Sequence, residues 1–338
     1  MMLLDKNTIQ SALLRSAMDL LEDSGQSAIA LDLSSLSLLS ESELRQIECW
    51  CRQQPCPVVG LGSENSPAAN CTDAIVENGS ELDTILRRIA ANPQAASVLV
   101  QVLRAIEHLP FEDALVVESL AYATLQSGEE FKRWLLQYQA QNPAASIRES
   151  SGGPPVLSER NGDRLSLVLN RPESDNAYTI ELRDALAEAF KLVELDNSIR
   201  QVNVSALGRC FCTGGELTEF GKVSSPTVGH MIRSQVSPAK LVLSAADRYH
   251  FHVHKACVGS GIELPACAGY FTAAPKTLFW LPELSMGLIP GAGGCVSISR
   301  RIGRRRTAYL VLMNKKIDAK KALEWGLIDG IVSEIASR

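Results

Sequence analysis

Two acidic side chains stand where the surrounding residues are apolar: Glu263, in Val258-Gly259-Ser260-Gly261-Ile262-Glu263-Leu264, and Glu283, twenty positions later in Leu281-Pro282-Glu283. Two carboxylates on separate rigid elements can hold one water between them or divide the roles of acid and base. Taken singly, Glu263 could be an acid stabilising a helix N-terminus, and Glu283 a surface acid before a turn. Glycine-bearing turns accompany both. The segment Arg209-Cys210-Phe211-Cys212-Thr213-Gly214-Gly215-Glu216-Leu217 follows a buried strand, and the amides of such a turn can bind a developing negative charge. A plain strand-to-helix turn is the alternative. Gly259-Ser260-Gly261 lets a ligand approach the backbone at a helix start, and Met286 to Gly294 is a third small-residue stretch. The basic run Arg300-Arg301-Ile302-Gly303-Arg304-Arg305-Arg306 suits a phosphate-bearing ligand, although a solvated helix face produces such runs more often.

The elements that must position these residues alternate. Strands are predicted at Leu165–Leu169, Val202–Leu207 and Lys255–Val258, with helices over Thr179–Leu195 and Ser260–Ala268. This rhythm argues for an α/β fold with parallel strands and ligands at their carboxyl ends. The first half opens with a helix over Thr8–Glu22, a strand over Ala28–Leu33, a helix capped by Ser40 with Glu43 in a capping box, and a strand over Pro57–Leu61. Gly60 to Ser80 reads as a loop. From Glu81 to Tyr138 the spacing predicts three helices broken near Pro93 and Pro110. Gly and Pro punctuate 143–155, a linker.

Composition narrows the function classes. The 338 residues carry 33 Lys plus Arg against 38 Asp plus Glu, a net charge of −5, which argues against a nucleic-acid partner. No stretch approaches the ~18 apolar residues of a membrane span, and Met1 to Lys6 lacks the pattern of a signal peptide. Nine cysteines without a paired spacing suggest reduced, mostly buried thiols in the cytoplasm, with no metal site.

Together, "LNRPESDNAY", "FCTGGEL", "GSGIELPACAG", "LPELSMGLIPGAGG" and "RRIGRRRTAYLVLMNKKIDAKKALEWGLID" resemble, in order and spacing, the enoyl-CoA hydratase/isomerase (crotonase) superfamily over Val156 to Val332. The stretch His254 to Arg306 also looks like the branch containing the cofactor-independent 3,5-dihydroxyphenylacetyl-CoA dioxygenase. The resemblance implies an α/β, crotonase-like ββα spiral core and an acyl-CoA thioester substrate, coenzyme A entering as part of the substrate, with no other cofactor. It makes Glu263 and Glu283 the catalytic pair, and the backbone N–H groups of Gly215 and Ser260 an oxyanion hole. Thr213, Gly214, Gly259, Gly261, Pro290 and Gly291 become substrate-binding positions. Ser260 replaces the family's middle glycine and narrows the channel; Glu216 reads as structural. The implied reaction is hydration of a 2-enoyl-CoA, with isomerisation, dehydration, aryl-acetyl-CoA oxygenation or a non-catalytic scaffold as alternatives. A homo-oligomer, a trimer or a multiple of it, is implied as well.

Members of the superfamily continue past "GLID" with helices that pack on the site. Here Ile85 to Leu135 resembles that segment, including Glu118 and Ser127-Gly128-Glu129-Glu130-Phe131, and 1–80 resembles a degenerate βαβ unit of the same fold. The expected organisation is thus 1–80, a helical segment 81–142, a linker 143–155, and a catalytic core 156–338 that receives its helices from the N-terminal half. An unrelated helical domain is the alternative. His230, His250, His252 and His254 receive no role, and the contacts to the adenine and phosphates of coenzyme A are left unassigned, Arg160 and Arg209 being considered for them without being chosen.

Overall fold

The computed structural model describes residues 3–143 and 152–333. The first stretch forms strands β1 (Leu3–Leu4), β2 (Ile29–Asp32), β3 (Val58–Leu61) and β4 (Ala74–Val76), with helices α1 (Ile9–Ala12), α2 (Ala17–Ser24), α3 (Leu33–Leu36) and α4 (Glu41–Gln53). The strands are all parallel, in the order β1-β2-β3-β4. The capping box at Ser40 is present. The helix expected over 8–22 is two helices, because Ser16 is extended and its hydroxyl accepts the Asp19 amide, starting a new helix. Strand β4 lies inside the stretch read as loop. Three residues are too few to show a period, yet Ala74, Ile75 and Val76 are all buried.

Four helices follow rather than three: α5 (Gly79–Ala91), α6 (Pro93–Ala105), α7 (Phe111–Gln126) and α8 (Glu129–Gln141). The additional break falls at Gly128, whose backbone is extended. The linker expected at 143–155 lies largely outside the described residues.

The remainder forms β5 (Val156–Asn161), β6 (Arg164–Leu169), α9 (Ile180–Leu195), β7 (Gln201–Ala206), α10 (Pro226–Gln235), α11 (Pro238–Leu243), β8 (Tyr249–Val253) and β9 (Ala256–Val258). Then come α12 (Ser260–Glu263), β10 (Tyr270–Ala273), β11 (Leu278–Trp280), α13 (Gly294–Ile302), α14 (Arg304–Met313), β12 (Ile317–Asp318), α15 (Ala319–Trp325) and β13 (Gly330–Ile331). A six-stranded sheet runs β13-β10-β8-β7-β6-β5, parallel except for the β5–β6 hairpin; β12-β11-β9 form a second, smaller sheet. The α/β class with parallel strands holds. The helix expected over 260–268 is instead one α-turn, α12, followed by a 3-10 turn from Pro265, since proline lacks the N–H that would continue the ladder.

The two halves share one core. Ala30, Val59, Ala74 and Val76 of the first sheet, Leu82 to Leu103 of α5 and α6, and Val296 to Val311 of α13 and α14 belong to a single buried cluster. Helix α7 packs against α10, α11 and α13, and α8 against the turn at Glu283. The basic run is neither a phosphate cradle nor a solvated face, because its arginines are taken by protein groups. Arg301 binds the Ala266 and Ala268 carbonyls and Asp329. Arg304, Arg305 and Arg306 reach Asp73, Asn70 and Glu64 of the first sheet unit. Asp73, 2% exposed, also pairs with Arg104 of α6 at 2.8 Å. The cysteines are unpaired, and all but Cys49 are buried.

Candidate active site

Three extended segments run side by side and end together. Residues around Cys212 bond to β9 (Cys212 amide to the Ala256 carbonyl, Val258 amide to the Cys212 carbonyl), and β9 pairs in parallel with β11. Their carboxyl ends deliver, in order, Gly214-Gly215, then Gly259 to Glu263, then Glu283. Gly259 turns the chain with φ +49, a conformation that favours glycine. It leaves open a point on which the site converges. A Cβ on Gly259 would stand 2.8 Å from Glu283 Oε1, 3.9 Å from Glu263 Oε1 and 3.8 Å from Gly214 Cα.

The amides assigned to an oxyanion hole border this point. Tyr178 donates to the Gly214 carbonyl at 2.8 Å and accepts from the Glu216 amide at 3.2 Å. A parallel bridge of this kind leaves the N–H of the intervening Gly215 directed away from Tyr178. Ser260 is the first residue of α12, where no intrahelical acceptor exists for its N–H. The Ser260 side chain is buried, with its Oγ unpartnered. Beside Ser260 lies a small apolar cavity of about 10 Å³, lined by Leu169, Tyr178, Phe211, Cys212, Ser260 and Leu264, among others.

The two carboxylates sit in unlike surroundings. Glu263 Oε2 accepts the amides of Ala292 at 2.7 Å and Gly294 at 2.9 Å, at the start of α13. Burial nevertheless pushes its carboxyl up to about 7, against the pull of those amides. Glu283 is raised well above the ordinary carboxylate range by burial and by the neighbouring charge of Glu263, and its Oε2 is buried without a partner. One group therefore ionises near neutral pH while the other keeps its proton, the separation that acid–base work requires.

The remaining expected residues divide. Thr213 donates its amide to the Asp175 carbonyl, and Gly214 touches Val258, so both build the first turn. Gly261 faces Cys212: a Cβ there would stand 2.7 Å from the Cys212 carbonyl oxygen, a packing constraint. Pro290 and Gly291 belong to the loop that grips Glu263. Glu216 caps a short turn through the Thr218 amide. Arg160 pairs with Asp196, and exposed Arg209 with Asp175. His230 bonds Ser119, His250 and His252 bond Thr272, and His254 bonds the Gly208 carbonyl.

The sequence model of the enoyl-CoA hydratase/isomerase family matches residues 161–337, just over half of the chain. The chain belongs to the enoyl-CoA hydratase/isomerase family. It is 30% identical over 183 residues to 1,2-epoxyphenylacetyl-CoA isomerase of Escherichia coli, spanning 53% of this chain and 70% of that one. It is 29% identical over 174 residues to probable enoyl-CoA hydratase 2, mitochondrial, of Arabidopsis thaliana, spanning 51% of this chain and 58% of that one. Among solved structures it resembles an enoyl-CoA hydratase from Thermoplasma volcanium, with a TM-score of 0.50 and 29% identity over 54% of this chain and 74% of that one.

Two residues near this family site escaped the sequence reading of catalytic positions. Glu118 of α7, 2% exposed, accepts the Gly293 amide at 2.7 Å and the Cys295 amide at 2.8 Å. Tyr122, one turn on, lies against Gly291, where a Cβ would stand 2.3 Å from its ring. The signal available for Glu118 was an acid alone in Ala-Leu-Val-Val-Glu-Ser-Leu-Ala.

Proposed function

We propose that this chain hydrates a 2-enoyl-CoA thioester, with Glu263 as base and Glu283 as acid. The observation that carries the reading is the approach of both Oε1 atoms and of the Gly214 backbone to one point beside Gly259. In this reading the thioester carbonyl lies between the amides of Gly215 and Ser260, and its Cα and Cβ face the carboxyl groups. Glu263 accepts a proton from water as the oxygen bonds Cβ. The alkene electron pair then moves onto the thioester as an enolate, and the two amides bind that charge more tightly than the ground state. Glu283 delivers its proton to Cα, and proton exchange between the two carboxyls restores the resting pair. The dioxygenase branch stands on the sequence resemblance alone, and an oligomer of this chain remains part of the proposal.

The deciding experiment compares Ser260→Ala with Ser260→Pro on crotonyl-CoA. Alanine keeps the amide and should stay within a few-fold of wild type. Proline removes the N–H and should cost about 100- to 1000-fold in kcat, the usual worth of one such donor. Equal activity of both variants would remove the Ser260 amide from the reaction. Longer and aromatic enoyl thioesters, and a 3-enoyl thioester, assayed in parallel would separate hydration from isomerisation.

A further inference from the structure

Four consecutive amides at the start of α13 are shared alternately by two buried carboxylates. Ala292 and Gly294 donate to Glu263 Oε2, while Gly293 donates to Glu118 Oε1 and Cys295 to Glu118 Oε2. The two acids come from opposite halves of the chain, Glu118 from α7 and Glu263 from α12. Their hydrogen bonding is unequal. Glu118 uses both oxygens on the loop, whereas Ala292 and Gly294 both reach Oε2 of Glu263, and its Oε1 lies 3.9 Å from where a Cβ on Gly259 would stand. Tyr122 closes the same loop from above at Gly291, with the Arg233 guanidinium 4.7 Å over its ring.

We propose that Glu118 is a positioning residue for Glu263: by occupying the Gly293 and Cys295 amides it fixes the loop so that Ala292 and Gly294 grip one oxygen of Glu263 and leave the other aimed at the reacting carbons. The proposal rests on the reading of Glu263 as the base. Released from Glu118, those amides are free to turn toward Glu263, and the base loses the orientation on which proton transfer depends.

The electrostatics agree with a coupled pair. Burial raises Glu118 to about 8, and the Glu263 charge adds to the shift. Facing the pair are Tyr122 of α7 with Arg233 of α10 behind it, Glu283 across the site, and the Cys267 and Cys295 thiols beside the loop. Tyr178 and Cys212 line the opposite wall. Burial raises both phenols and all three thiols, keeping them neutral near pH 7. Among these groups, Glu283 is therefore the one whose titration joins that of the pair.

The test compares wild type, Glu118→Gln, Glu263→Gln and the double variant in hydration of crotonyl-CoA and in binding of saturated butyryl-CoA. Glu118→Gln should lower kcat by about 10- to 100-fold, the size of effect expected from a misplaced catalytic group, while butyryl-CoA binds within threefold of wild type. The double variant should be no slower than Glu263→Gln alone. A Glu118→Gln enzyme within twofold of wild type, or one that slows Glu263→Gln by its full factor, overturns the proposal. If Glu118→Gln does not fold, carboxyl carbon NMR titration of wild type and Glu263→Gln decides. The Glu118 midpoint should fall when its charged neighbour is removed, and an unmoved midpoint counts against the coupling. That titration needs no turnover. A wild-type protein that binds butyryl-CoA yet hydrates no thioester would sink the functional reading and leave the titration result to stand separately.

Discussion

Trp134 of α8 meets the Phe220 ring edge-on, with centroids 5.9 Å apart, and Phe220 in turn lies where a Cβ on Gly215 would be only 3.0 Å from its ring. The helical segment from the N-terminal half therefore braces the turn carrying the proposed oxyanion amide. It also reaches the Glu263 loop through Glu118 and Tyr122. A segment that enters the chain before the core thus packs on both sides of the proposed reaction point, through side chains rather than through backbone pairing.

Phe220→Ala tests the brace. Removing the ring opens space beside Gly215 and frees its amide to move, while both glutamates keep their surroundings. We expect kcat on crotonyl-CoA to fall about tenfold, a fraction of what loss of the whole donor costs. The melting temperature should change much less than in a core truncation, because Phe220 is only partly buried. Unchanged kcat would mean that Gly215 needs no support from α8.

How much of this was legible beforehand follows from chain separation. Glu263 and Glu283 stood out because an acid in an apolar run is visible locally, and the Ser40 capping box and the breaks at Pro93 and Pro110 are equally local. Glu118 could not be assigned, since its partners Gly293 and Cys295 lie 175 and 177 residues away. The arginine run was misread for the same reason. Arg304 bonds Asp73 across 231 residues, and nothing near either residue announces the other. Strand β4 was lost because three apolar residues carry no period.

Asp73 offers a stability test that avoids the site. It is buried between Arg104 and Arg304, whose side chains are themselves almost wholly covered, and it accepts the Val58 amide at 2.8 Å. Asp73→Asn leaves the buried Arg104 guanidinium without its counter-charge, while Arg304 keeps only Glu107, at 3.5 Å. Breaking a buried pair on one side costs about 3–5 kcal/mol, to be read from the urea midpoint. A loss below ~0.5 kcal/mol would show that the two arginines find other acceptors.

The unlike carboxyls set the pH dependence. With Glu263 titrating at about 7, kcat/KM on crotonyl-CoA should rise as pH climbs through neutrality and the base loses its proton. At higher pH it should fall as Glu283, held well above its ordinary value, loses the proton it must deliver. The two limbs belong to the coupled pair rather than to either residue. A profile flat from pH 5 to 9 would contradict the division of roles.

Glu283→Gln should separate activity from stability. The folded-state value of Glu283 is raised, and its Oε2 lies buried without a partner. The folded chain therefore binds its proton more tightly than the unfolded chain does. Stability is fully present below the ordinary carboxylate value and is lost as pH rises toward the folded one. Glutamine cannot ionise and avoids that loss. At pH 8 the variant should melt higher than wild type, by ~2–4 °C for each ~1 kcal/mol regained, and at pH 4 the two should coincide. Hydration of crotonyl-CoA should meanwhile drop by about 100-fold or more, the usual contribution of a positioned acid. A variant that is slow but no more stable at pH 8 would mean that water reaches Glu283 in the free protein; one that keeps full activity would remove Glu283 from the reaction.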